Sequence, residues 1–260
     1  MPEFAKPVQG NFCWTEVFLE DPGRGKGFYG ELFGWSAQEI PTPEGTYSML
    51  HIGGKRVAGI AKITAEKKKA GARSRWLNHV FVRDTDISTK RAAGLGAKIV
   101  MAPTQTGPGM MAIIEDPTGN DLALWSTKES MGTFLWGETN SLCWNELVTS
   151  DAEAATKFYV GMFGWKKEAW PMGEFTYTVL KNGDVPIAGV MPQLKDMTGT
   201  PTGWTAYFGV ADCDAIAKKA EKLGGKIFMP PHDIPNVGRF AILGDPEGAA
   251  FAILKSLPQN

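Results

Sequence analysis

Phe12-Cys13-Trp14-Thr15-Glu16-Val17 returns 130 residues later as Leu142-Cys143-Trp144-Asn145-Glu146-Leu147. The same offset carries Phe28-Tyr29 and Phe33-Gly34-Trp35 to Phe158-Tyr159 and Phe163-Gly164-Trp165, Tyr47 to Tyr177, and Ala58-Gly59 to Ala188-Gly189. It becomes 128 for Trp76 and Trp204, for Asp84-Thr85-Asp86 and Asp212-Cys213-Asp214, and for Met101 and Pro103 against Met229 and Pro231. It is 129 for Asp116-Pro117-Thr118-Gly119 against Asp245-Pro246-Glu247-Gly248. Matches that keep their order while drifting this little mean two homologous halves with small changes in loop length. The boundary falls near Met131–Gly137, so the domains expected are 8–130 and 138–257. A chain of 260 residues also suits two domains of ordinary size.

Each half reads as two similar units. Leu142 to Val148 predicts a strand, and Asp151 a helix N-cap. Ala155, Phe158, Tyr159 and Met162 then share one helical face, and Gly164 stops the helix. Thr176–Lys181 and Pro186–Val190 predict a hairpin turning at Asn182-Gly183. The next unit repeats the order, with a strand over Trp204–Val210, a helix over Asp214–Leu223 and strands at Lys226–Met229, Arg239–Leu243 and Ala249–Leu254. The helix expected over Asp21–Phe33 carries Gly23, Gly25, Gly27 and Gly30. Each interior glycine costs roughly 0.5–1 kcal/mol against alanine, so tertiary burial of Phe28, Leu32 and Phe33 must hold it.

Composition narrows the function classes. Twenty-seven Lys and Arg against 28 Asp and Glu leave no net basic charge for nucleic acid. The basic run Lys67-Lys68-Lys69 with Arg73 and Arg75 reads as a solvated linker. No apolar run is long enough to span a membrane, and the first residues have no basic-then-apolar leader, so a cytoplasmic location is expected. Three cysteines without metal spacing predict free thiols.

The motifs Asp151…Phe158-Tyr159…Phe163-Gly164-Trp165, Val210…Asp212…Asp214 and Asp245-Pro246-Glu247-Gly248, with their first-half mates, resemble the vicinal oxygen chelate superfamily. That family includes glyoxalase I, extradiol dioxygenases and bleomycin-resistance proteins. The likeness covers nearly the whole chain and is nearest to two-domain glyoxalase-like proteins of bacteria, mycobacterial ones included. It implies an α+β fold of tandem glyoxalase-like domains, with four βαβββ units forming curved mixed sheets around cavities and helices outside.

In metal-using members, His, Glu or Gln side chains on the strands hold one divalent ion with positions open to substrate oxygens. Registering the family motifs places those positions on Trp14 and Trp144, near Gly59 and Gly189, on Leu77 and Thr205, and on Ala123 and Ala252. None is a metal ligand. His51, His79 and His232 form no ligand pair either, so no cofactor is expected, with a divalent metal as the alternative.

Strand alternation puts Glu16 on the face of Trp14, and Glu146 on that of Trp144, with Cys13 and Cys143 toward the helices. An indole face beside a carboxylate suits an aromatic, cationic or amine-bearing molecule. The other reading makes each carboxylate half of an ion pair with Lys or Arg and each indole core filler. Parity also points His79 and Tyr207 toward the cavities as hydrogen-bonding or proton-carrying groups, against a role as packed interior side chains. Tyr47 and Tyr177 are placed near the mouths, where the plainer role is a cross-strand contact. Pro230–Arg239 is a candidate lid, with Arg239 a candidate carboxylate clamp or an exposed loop residue.

Two functions follow, beside a third reading as a mainly structural or partner-binding protein whose cavities are filled by side chains. One is a metal-free, bleomycin-resistance-like protein that binds a small molecule through Trp14, Glu16, Tyr47, His79, Trp144, Glu146, Tyr177 and Tyr207. The other is an enzyme of lyase, isomerase or dioxygenase type, using a metal or proton transfer by Glu16 or Glu146. A small-molecule partner is expected, without nucleic acid or membrane, as a monomer or a homodimer.

Overall fold

The computed structural model describes residues 7–43, 45–128, 134–197 and 201–257. The first half runs β1 (Phe12–Leu19), α1 (Pro22–Phe33), β2 (Ser36–Thr42), β3 (Gly45–Ile52), β4 (Lys55–Lys62), α2 (Ala65–Lys69), β5 (Arg75–Phe81), α3 (Thr85–Gly94), β6 (Lys98–Thr106), β7 (Gly109–Glu115) and β8 (Asp121–Thr127). The second repeats this as β9 (Leu142–Thr149), α4 (Ala152–Phe163), β10 (Lys166–Met172), β11 (Phe175–Asn182), β12 (Val185–Pro192), a short turn of 3₁₀ helix (Lys195–Met197), β13 (Gly203–Gly209), α5 (Cys213–Lys222), β14 (Lys226–Ile234), β15 (Gly238–Gly244) and β16 (Ala250–Ser256). Each half is one curved eight-stranded mixed sheet, in the orders β2-β3-β4-β1-β5-β8-β7-β6 and β10-β11-β12-β9-β13-β16-β15-β14. Within each unit the first strand lies parallel to the last, and the two units join through the antiparallel pairs β1–β5 and β9–β13. Residues 131–133 of the expected boundary lie outside the described residues.

Local chemistry sets the helices. Asp21, Asp84, Asp151 and Asp212 each accept a hydrogen bond from the backbone N–H three residues on, as N-caps do. Gly34 and Gly164 end α1 and α4 at φ 74° and 72°, a left-handed conformation that glycine adopts without steric cost.

Helices α1, α3, α4 and α5 pack between the two sheets, α1 against α5 and α3 against α4. The cores are therefore shared. Helix α1 buries Phe28, Tyr29, Leu32 and Phe33 among Phe208 and Phe251 of the second half. Helix α4 buries Phe158, Tyr159 and Met162 among Val80, Ala112, Ile114, Leu122 and Leu124 of the first. Polar clamps run the same way. Trp76 Nε1 donates to the Tyr29 hydroxyl (3.0 Å), which donates to Asp245 Oδ2 (2.9 Å). Trp204 Nε1 donates to the Tyr159 hydroxyl (2.8 Å), which donates to Asp116 Oδ2 (2.8 Å). Trp35 and Trp165 add indole bonds to the backbone oxygens of Asn140 and Gly10, each in the other half.

Several expectations are corrected. Asn182 pairs with Val185, so the hairpin turns at Gly183-Asp184, one residue late. Strands β2 and β10 escape a reading by alternation because they are edge strands with almost every side chain exposed. Glu66–Lys69 is solvent-facing as expected, yet it belongs to α2, capped by Thr64. Pro230–Arg239, the candidate lid, is a strand hairpin rather than a free loop. It is the end of β14, a turn through Asn236 (φ 62°) and the start of β15. Arg239 is neither a ligand clamp nor a free loop residue, because it chelates both carboxylate oxygens of Asp214 and also bonds Asp233 and the Pro231 carbonyl.

Replacing Tyr29 with Phe strands the Trp76 donor and the Asp245 acceptor in the shared interior. We expect Tyr29→Phe, and likewise Tyr159→Phe, to cost about 1–3 kcal/mol in urea unfolding. Circular dichroism and tryptophan fluorescence should report one coincident transition for the whole chain. Two separate transitions would mean that the halves stand independently.

Candidate functional site

Two clusters occupy the sheet faces turned away from the helices. On the first, Trp14 lies opposite His79, Glu16 lies opposite Leu77 and beside Gly59, and His79 lies beside Ala123. On the second, Trp144 lies opposite Tyr207, Glu146 lies opposite Thr205 and beside Gly189, and Tyr207 lies beside Ala252. Each cluster is built by the strands of one half, unlike the shared cores behind it.

The tyrosines of β3 and β11 complete them. A Cβ at Gly59 would fall 1.7 Å from the Tyr47 hydroxyl, and one at Gly189 1.8 Å from that of Tyr177. Glycine at these two positions is what lets a phenol cross its neighbour strand and reach the first strand. Trp14 Nε1 then donates to the Tyr47 hydroxyl and Trp144 Nε1 to that of Tyr177, both at 2.9 Å. In the second cluster Tyr177 donates to Glu146 Oε2 at 2.9 Å and Tyr207 to Glu146 Oε1 at 2.6 Å. In the first, His79 Nε2 lies 3.2 Å from Glu16 Oε1, off the line of a hydrogen bond, and neither ring nitrogen of His79 has a hydrogen-bond partner.

All eight sequence-predicted residues thus come together as two groups of four. Glu16, Glu146, His79 and Tyr207 are buried, Trp14 is buried beneath Phe134 (ring centroids 5.4 Å apart), and Tyr47, Trp144 and Tyr177 are half-buried at the mouths. Two phenols hold Glu146 and an imidazole stands 3.2 Å from Glu16, where the plainer reading expected lysine or arginine. Tyr47 and Tyr177 are integral hydrogen-bond members, where that reading had them as cross-strand contacts. Phe134 was not foreseen, since no periodic pattern marks a short stretch between domains. It bridges to Arg56 of β4 and so reaches Trp14.

Cys143 departs from simple alternation. The register slips by one residue between Phe208 and Tyr207, opposite Leu142 and Trp144, which leaves Cys143 in a bulge. It packs beside Trp144 and Tyr207 rather than toward the helices, and its thiol donates to the Tyr207 carbonyl. Burial pushes that thiol up to about 12. Cys13 occupies the matching bulge in β1, and burial raises its thiol too.

Burial also raises the Glu146 carboxyl, and the Tyr207 and Tyr177 hydrogen bonds only partly offset it. Both phenols are pushed well above their usual range by burial and by the charge of Glu146. Tyr47 is raised by burial and by Glu16, with Arg56 opposing.

The residues present do not fit the family's metal. The registered positions carry indole, glycine, leucine or threonine, and alanine side chains, and the Tyr47 and Tyr177 hydroxyls fill the space that a side chain at Gly59 or Gly189 would need. No three His, Cys, Asp or Glu side chains converge to hold an ion among the described residues. One carboxylate per cluster, ringed by neutral donors, is a weak donor set for a divalent cation.

Paired βαβββ sheets with a polar cluster on each curved face define a class of two-domain proteins built around a concave strand surface. Within that class, the profile of the Glyoxalase/Bleomycin resistance protein/Dioxygenase superfamily matches residues 12–124 and again 141–253, and the chain belongs to this superfamily. It is 37% identical over 264 residues to CFP32 of Mycobacterium tuberculosis (strain CDC 1551 / Oshkosh), a protein named as a glyoxylase, with all of both chains covered. It is 32% identical over 256 residues to the anthracycline biosynthesis protein DnrV of Streptomyces peucetius, covering 94% of this chain and 92% of that one. Among solved structures, the Mn(II)-bound glyoxalase from Novosphingobium aromaticivorans aligns with a TM-score of 0.65 at 14% identity, over 96% of this chain and 83% of that one, a likeness of fold. No helix among the described residues is long and apolar enough to cross a membrane.

Two titrations check this electrostatic picture. A carboxyl raised by folding stabilises the fold below its unfolded value, and that contribution is lost as pH rises through the folded value. Glu146→Gln should therefore gain on the parent as pH rises from 4 to 8, measured as the difference in Tm. A flat difference would place Glu146 in a wet environment. All five tyrosines, Tyr29, Tyr47, Tyr159, Tyr177 and Tyr207, are held above the usual phenol range. Absorbance at ~295 nm should thus show no tyrosinate at the ordinary value of about 10 while the chain stays folded.

Proposed function

We propose that this protein binds a small aromatic or cationic molecule on the concave faces of its two sheets, without a chelated metal. The observation that carries this reading is the Trp–Tyr hydrogen bond built in both halves beside a buried acid, continued onto Glu146 in the second half. An indole face attracts a ring or a cation, and a carboxylate set behind it favours positive charge. Glu146 receives only phenol hydrogen bonds, so a ligand cation there would meet no lysine or arginine already paired with the acid. The name of one relative points the same way, while that of CFP32 points to an enzyme. DnrV is named for anthracycline biosynthesis, and anthracyclines are fused aromatic ring systems.

Isothermal titration with 9-aminoacridine, a planar aromatic cation, tests the reading. We expect saturable binding that weakens roughly tenfold at one site in Trp144→Ala, the size of a desolvated cation–π contact. Trp144 is half-buried at the mouth, which makes it a gentler change than Trp14→Ala. Unchanged affinity in Trp144→Ala, or no binding by the parent, would overturn the proposal.

A further inference from the structure

The two clusters descend from one repeat but differ at one deep position, where the first half has His79 and the second Tyr207. Tyr207 closes its cluster. Its hydroxyl donates to Glu146 Oε1, Tyr177 donates to Oε2, and Trp144 donates to Tyr177, so the chain of bonds ends inside the protein. His79 leaves its cluster open. It is 3% exposed, yet both ring nitrogens lack a hydrogen-bond partner, and the nearer one only approaches Glu16 Oε1. Buried polar atoms almost always find partners, and leaving them without one destabilises the fold. The second half shows that a tyrosine at this depth avoids that cost. Stability alone therefore gives no reason for a histidine here, whereas recognition does.

Resting on the binding reading above, we propose that the first-half site selects a neutral, hydroxyl-bearing aromatic ligand through His79, and that the second-half site, closed by Tyr207, selects the aromatic cation. A neutral imidazole keeps one ring nitrogen as an acceptor, and neither nitrogen of His79 is engaged in a hydrogen bond. A phenolic hydroxyl is the neutral donor that satisfies it, while the aromatic ring meets the half-buried Tyr47 at the mouth. Arg56 on β4 carries the same logic. Its charge is felt at Tyr47, and its mate in the second half is Pro186.

The test replaces His79 with the residue that the second half already uses. Parent, His79→Tyr and His79→Phe are titrated with 2-naphthol and with 9-aminoacridine, and their melting temperatures are measured without ligand. We expect one 2-naphthol per parent chain, weakened about tenfold or more in both variants, the loss of one hydrogen bond in a dry site. The aminoacridine site that depends on Trp144 should persist in both. His79→Tyr should melt no lower than the parent, because it copies the closed cluster. The inference is overturned if 2-naphthol binds the variants as it binds the parent, or if His79→Tyr melts several degrees lower, which would make His79 a structural residue. If aminoacridine binds the parent and 2-naphthol does not, the selectivity fails and the binding reading stands. If neither binds the parent, both fail.

Discussion

The buried tryptophan–tyrosine–aspartate clamps, each tying one half to the other, are the constraint on which the molecule depends. Asp245 accepts from Tyr29 and at the same time from the backbone N–H groups of Glu247 and Ala249. Asp116 does the same with Tyr159, Thr118 and Asn120. The Asp-Pro-x-Gly turn of one half is thereby fixed against the first helix of the other. Burial raises the Asp245 carboxyl, and its three hydrogen bonds oppose that shift. An acid satisfied this way is costly to expose and costly to leave alone. The pairing of halves is thus specified by polar geometry as well as by the aromatic packing of Phe28, Phe33, Phe208 and Phe251.

Placing this pairing on the helix side has a consequence for the other side. The shared cores take up the helix-facing residues of every central strand, so stability is concentrated there. Glu16, Trp144 and Glu146 stand outside these cores on the same strands, β1 and β9, that anchor Val17 and Leu147 in them, while Trp14 is packed into the buried cluster of Val17. Polar groups set on rigid central strands are held more firmly than groups on loops. The concave faces can therefore carry a buried acid, and can diverge in sequence, while the fold behind them is kept by other residues.

Much of this was legible in the residues. The repeat gave two equivalent domains, the capping aspartates gave the helix starts, and strand parity brought Glu16 to Trp14 and Glu146 to Trp144. Parity also aimed His79 and Tyr207 correctly. Two kinds of information were missing. One was register. A single-residue bulge turned Cys143 toward the cluster, and alternation has no means to show it. The other was long-range partnership. Tyr29 and Asp245 both stood out as repeated residues, but their union crosses 216 positions and the two halves, and only the assembled sheets reveal it. Exposed edge strands failed for a third reason, since β10 buries nothing and leaves no periodic trace.

Gly59 and Gly189 show how the same scaffold changes chemistry. Each lies beside a carboxylate on the neighbouring strand, at the depth where a side chain would point to the centre of the concave face. Without a Cβ there, the tyrosine of the next strand moves in and its hydroxyl takes the vacated volume. A phenol held well above its usual range donates a hydrogen bond but offers no anionic oxygen to a cation. With glycine on β4 and β12 and an indole on β1 and β9 to anchor the tyrosine, each face presents a hydrogen-bonding phenol beside its acid. The remaining chemistry of each face then depends on what stands beside the acid, which is an open imidazole in one half and a closing phenol in the other.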